Sequence, residues 1–184
     1  MKKMVSLSLI LATLFSGCVT IEDQKAKVID SEVEGLEYQC AGLFDYTTKD
    51  GELSCRHMPL GFKIGEIRLG KIYTIPEDGI ILPQDIVGAK RSDINNPNVV
   101  KLSVLLQSLD ADKNPENGIT ITKEVRDKLK LPIELNKVTL AELKELVEAQ
   151  LGKIEFKQPH KSIIHLNNSM KRFNISQTSE IITY

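Results

Sequence analysis

The sequence has no tryptophan, and only 5% of its 184 residues are aromatic. So thin a supply argues against a platform on which bases or sugars stack. A field of one sign is missing as well. Twenty-four Lys and Arg stand against 25 Asp and Glu, a net charge of −1, which offers no basic face for gripping nucleic acid. No apolar run approaches the about 20 residues a permanent bilayer-spanning helix needs. The sequence motifs of catalysis are absent too. It holds no Gly-x-Ser-x-Gly elbow, no Gly-x-x-x-x-Gly-Lys phosphate loop, no Gly-x-Gly-x-x-Gly run and no His-Glu-x-x-His zinc helix. Acidic pairs such as Glu32 with Glu34, or Glu142 with Glu145, read as solvated surface. An enzyme is therefore not expected.

What the chain does have is an ordinary globular make-up, 41% hydrophobic and 27% charged, enough to bury a core in one domain plus an appendage. It opens with Lys2 and Lys3, then an apolar stretch from Met4 to Phe15 of about a dozen residues, the form of a secretory signal over residues 1–17. The ending Leu14-Phe15-Ser16-Gly17-Cys18 resembles the lipobox of bacterial lipoproteins, with Phe15 where that class usually has Leu. The resemblance implies cleavage before Cys18, lipids on Cys18 and a stable hold on a membrane. Position 19 is Val rather than Asp, which in the Gram-negative class implies the outer membrane. The mature chain of 167 residues would carry 22 basic and 25 acidic groups. Residues 18–27, short and unpatterned, read as a tether.

After Cys18, two cysteines remain, Cys40 and Cys55. An even pair in an oxidising compartment reads as one disulfide. Two buried thiols or half a metal site are the rival readings, and His57 alone does not complete a zinc site.

Residues 28–75 read as a small β-sandwich-like unit. Leu36, Tyr38 and Cys40 alternate with polar neighbours, Asp50-Gly51 marks a turn, and Leu53 with Cys55, Phe62 with Ile64, and Ile67 with Leu69 alternate in turn. The run Asp30-Ser31-x-Val33-x-Gly35-Leu36-x-Tyr38-x-Cys40, followed by Thr48-x-Asp50-Gly51-x-Leu53 and by Phe62-x-Ile64-Gly65-x-Ile67-x-Leu69-Gly70, resembles a repeat of large bacterial surface lipoproteins of the accessory colonisation factor type. Its layout is similar to carboxypeptidase-regulatory-like or transthyretin-like β-sandwiches. The resemblance covers about 45 residues and implies a spacer, adaptor or binding unit.

Residues 76–184 read as a long connection and a helical region packed on that unit. Asn96 as N-cap and Pro97 at the first position start a helix that runs to about Leu109. A shorter one is expected from Thr122 to Lys130. Thr139 with Glu142 forms a capping box for a third, closed by Gly152. A fourth is expected after Pro159, with a strand from Ser162 to Leu166 as its alternative. The fold class expected is α+β, a β-sandwich-like unit followed by three or four helices.

One loop carries a pointed pattern. Asp110, Asp112 and Asn114 present oxygens at alternate positions, as a calcium loop does. Pro115 stands where such loops need Gly, and Ile121 where they need an acid. A helix-ending loop of Asx turns is the preferred reading, and calcium the alternative. His160 and His165, five apart, point to different faces of a helix and read as surface or packing residues. The function expected is a non-catalytic binding or structural module, lipid-anchored at the outer membrane. The alternative is an accessory subunit of a surface or secretion assembly, with another envelope protein as partner.

Overall fold

Alternating apolar and polar residues shape the strands, and the computed structural model describes residues 22–175. The signal segment and Cys18 lie outside these residues. Strand β1, Gln24–Val28, buries Ala26 and Val28 while Gln24 and Lys25 face water. It is the middle strand of a three-stranded sheet, antiparallel to β5 (Glu52–Cys55) and parallel to β8 (Ile80–Ile81). The expectation of a tether reaching residue 27 is thereby corrected: pairing begins at Gln24. Only two inward apolar side chains mark this strand, too short a pattern to read from sequence.

The larger sheet has five strands in the order β10-β7-β6-β3-β4. They are β3 (Glu37–Cys40), β4 (Leu43–Tyr46), β6 (Leu60–Ile64), β7 (Ile67–Ile72) and β10 (Ile133–Glu134). All neighbours are antiparallel except β10 with β7. A third, two-stranded sheet joins β2 (Val33–Glu34) in parallel to β9 (Ile119–Thr120). Every sheet thus takes one strand from beyond residue 75. The division expected there does not separate two units, because β8, β9 and β10 satisfy backbone groups of the first half.

Helices α1 (Pro83–Val87), α2 (Pro97–Leu109), α3 (Lys123–Lys128), α4 (Leu140–Leu151) and α5 (Pro159–Arg172) complete the α+β fold. The capping residues act as read: Asn96 Oδ1 accepts from Asn98 N at 3.0 Å, and Thr139 and Glu142 bond each other's backbone N–H. Residues 162–166 are helical within α5, so the strand alternative is overturned. Helix α1, in the segment read as a connection, was not expected.

Helix α2 is buried on nearly every side, Lys101 included. The Lys101 ammonium reaches the carbonyls of Leu135 and Val138 at 2.7 and 2.6 Å, and burial holds its pKa below the ordinary lysine value. The main core gathers the inner faces of both larger sheets, with Val28, Leu53, Leu60, Phe62, Ile64 and Leu105 among its members. A smaller core of Ile29, Leu82, Ile94, Val99, Ile163, Leu166 and Met170 lies along α5. Gly70 shows how closely α1 lies on β7. A Cβ there would stand 2.0 Å from the Ile86 carbonyl oxygen, and its φ of +154° suits glycine alone.

Cys40 on β3 and Cys55 on β5 are bonded to each other. The bridge therefore ties the five-stranded sheet to the three-stranded one.

Candidate functional site

Among the described residues, three places bear on function. The first lies inside, where the turn after β1 meets α5. Asp30 is fully buried, and both its carboxyl oxygens accept from Gln107 Nε2 on α2, at 3.0 and 3.2 Å. Burial raises the Asp30 pKa well above the ordinary carboxylate value, against smaller opposing effects of hydrogen bonds from Gln107 and Ser103. Beside it Ser31 sits at φ +48°, a left-handed conformation that costs a non-glycine residue roughly 1–2 kcal/mol. Its Oγ lies 3.1 Å from His165 Nε2, and His165 Nδ1 lies 2.9 Å from Glu116 Oε1. Arg172 donates to both Ser31 Oγ and Glu32 Oε2.

A Glu116–His165–Ser31 chain has the connectivity of an acid, a base and a nucleophile. Its proton placement is different. Ser31 has one hydroxyl proton and sits 2.6 Å from the Pro115 carbonyl, which only accepts. That proton is thus directed away from the imidazole. Ser31 is wholly buried and His165 is 5% exposed, so no substrate carbonyl reaches the hydroxyl. The arrangement pins the strained turn, the 3₁₀ turn Pro115–Asn117 and α5 to one another. His165 is the packing residue expected, with a denser set of partners than the sequence suggested.

The second place is the acidic loop. Asp110 Oδ1 accepts from Thr120 N at 3.0 Å, and Asp112 accepts from Asn114 N and from Asn117 Nδ2, each at 2.9 Å. Asn114 contributes its backbone N–H, and Lys113 Nζ donates to the Ser108 carbonyl. Burial, with the neighbouring Asp112 carboxylate, raises the Asp110 pKa. Hydrogen bonds from Asn117 and Asn114 lower that of Asp112. Asp110 and Asp112 thus spend carboxyl oxygens on Thr120, Asn114 and Asn117 within the loop itself. The loop takes the Asx-turn form, and no group of three or more His, Cys, Asp or Glu among the described residues is placed to hold a metal ion.

The third place is a groove of about 860 Å³ over the outer face of the five-stranded sheet. Its floor is a row across four strands: Lys71 on β7 opposes Gly61 on β6, Gly61 opposes Gln39 on β3, and Gln39 opposes Phe44 on β4. Tyr73 stands at one end and Phe44 at the other, 65% and 56% exposed. The Lys71 ammonium lies 5.2 Å from the Tyr73 ring centre, and Lys63 lies 4.8 Å from that of Phe44. The Tyr73 hydroxyl raises the Lys71 pKa. Arg68 bonds Glu134 at 2.8 Å, and Lys63 lies 3.7 Å from Glu66. The C-terminal end of α1, with Asn98 and Asn136, forms the far wall.

Sequence reasoning missed this groove. The nine Phe and Tyr of the chain looked too few to form a surface, and the pairing that aligns Phe44 with Lys71 cannot be read from spacing. No family model, no curated protein and no solved structure matches the chain.

Proposed function

We propose that the protein is a lipid-anchored envelope protein, held at the outer membrane through Cys18, that acts as a non-catalytic binding module. The observation that supports this best is the outer-sheet groove, where Phe44 and Tyr73 stay exposed at either end of a polar floor. Aromatic rings and a few convergent polar groups in one concave surface are features of ligand sites. The closed hydrogen bonding of Ser31 and His165 favours a non-enzymatic reading. The likeness of residues 30–74 to surface-lipoprotein repeats agrees in kind. The alternative, an assembly subunit docking through the helical half, draws on less. The large apolar side chains exposed there among the described residues are two, Leu131 and Ile164, too few for a broad apolar face.

Anchoring and binding separate in one fractionation of cells making the full chain. Cys18→Ala is expected to leave the membrane fraction or to accumulate as an uncleaved precursor; a processed variant that stays membrane-bound would refute the anchor. After mild detergent dissolves the membranes, wild type is expected to remain on the insoluble envelope residue. Phe44→Ala with Tyr73→Ala is expected to be released. Equal retention of the two would refute the groove as the binding surface.

A further inference from the structure

We propose that the outer-sheet groove binds an extended glycan bearing carboxylate or phosphate groups, seated across the strands with its anion at Lys71. This deepens the binding reading given above and rests on it.

The direction of the groove gives a strand-like peptide no sheet edge to pair with along its floor. The floor runs perpendicular to the strands, and three strand spacings from β7 to β4 span about 14 Å. Strands β3 and β6 are each paired on both sides. Their backbone groups are therefore engaged in the sheet, and a polypeptide lying in the groove would gain no ladder bonds. The free outer edge of β4, where a peptide strand would add, borders the groove rather than running along it.

The lining suits sugar rings. Gly61 leaves the middle of the floor open, with no heavy atom within 4 Å of where a Cβ would stand. Tyr73 and Phe44 offer apolar faces against which sugar C–H groups pack. Each ring has a lysine ammonium within 5.2 Å of its centre and keeps more than half of its surface exposed. The amides of Gln39, Asn98 and Asn136 each donate and accept, the two roles that hydroxyl groups require.

Charge gives the sign. Lys63, Arg68 and Lys71 line the groove against Glu66 and Glu134. Arg68 answers Glu134, and Lys63 answers Glu66 and Glu37. Among the described residues no carboxylate pairs with Lys71. With Glu37 counted, cations and carboxylates balance in number, but Lys63 draws two carboxylates and Lys71 none, so Lys71 beside the Tyr73 ring is the place for an anionic substituent on a stacked sugar.

The full chain in detergent micelles can be passed over immobilised oligosaccharides bearing uronate, bearing phosphate or uncharged, with hexaglutamate as a control for charge alone. Retention is expected on a charged glycan, whether uronate or phosphate, and the arm that retains identifies the anion. Tyr73→Ala is expected to weaken retention about tenfold, the scale of one lost ring contact. Lys71→Gln is expected to lower it to the level of the uncharged glycan, and Ile164→Ala on α5 is expected to change nothing. All three side chains are exposed, so their thermal midpoints report whether each variant folds. Retention on no glycan, equal retention on uncharged glycan or hexaglutamate, or retention untouched by Tyr73→Ala and Lys71→Gln would overturn the proposal. If no glycan is retained while the groove variant still leaves the envelope residue, the glycan assignment fails and the binding reading stands. If neither effect is seen, both fail.

Discussion

Asp30 is a carboxyl group enclosed by Gln107, Ser103 and the smaller core. Its raised pKa means that the folded protein holds a proton which the unfolded chain gives up at ordinary carboxylate pH. The associated stability is complete below the unfolded value and is lost as pH rises toward the folded one. Asp30→Asn keeps an oxygen for Gln107 and removes the charge. Thermal midpoints across pH 4 to 8 are expected to fall less for the variant than for wild type, and parallel curves would contradict this. Little of this cluster was legible in the sequence. Asp30 read as part of a β pattern and His165 as packing. Ser31 and His165 lie 134 positions apart, and only the fold brings them within 3.1 Å. The acidic loop was more legible because its bonds are local: Asp112 to Asn114 and Asn117 span two and five residues.

At the scale of elements, legibility followed length and capping. Helices α2, α4 and α5 span 12 to 14 residues and start at proline or a capping box, so period and cap agreed. Strand β4 has all four residues exposed, and α1 has five residues beside an unhelical Leu82 cap. Neither offers a periodic signal, because sheet pairing and the close fit against Gly70 place them. The cysteine pair was readable from its number and compartment, but its role between sheets was not. Reduction of Cys40–Cys55, which closes a 15-residue separation, is expected to cost about 3 kcal/mol on the chain-entropy view. Denaturant midpoints with and without reductant measure it, and an unchanged midpoint would show that the sheets hold together without the bridge.

For the whole molecule, the α+β class was readable, while the mutual completion of its halves was not. Two-residue strands such as β8, β9 and β10 are invisible to periodicity, yet each closes a sheet begun before residue 75. A fragment of residues 22–75 is accordingly expected to show no cooperative unfolding transition, and the same residues within the full chain a single one. A folded fragment would restore the two-unit description.

The parallel pairing of β1 with Ile80–Ile81, of β2 with Ile119–Thr120 and of β7 with Ile133–Glu134 also sets an order in time. A chain delivered from its N-terminus presents its early strands first and the segments that close them last. The turn at Ser31 waits longest, since His165, Ser169 and Arg172 arrive with the final helix. The sheets are completed in turn before that, the three-stranded one at Ile80–Ile81, the two-stranded one at Ile119–Thr120 and the five-stranded one at Ile133–Glu134. A chain made from its N-terminus therefore builds its sheets first and fastens the Ser31 turn last, so the strained conformation is imposed on a scaffold that already stands.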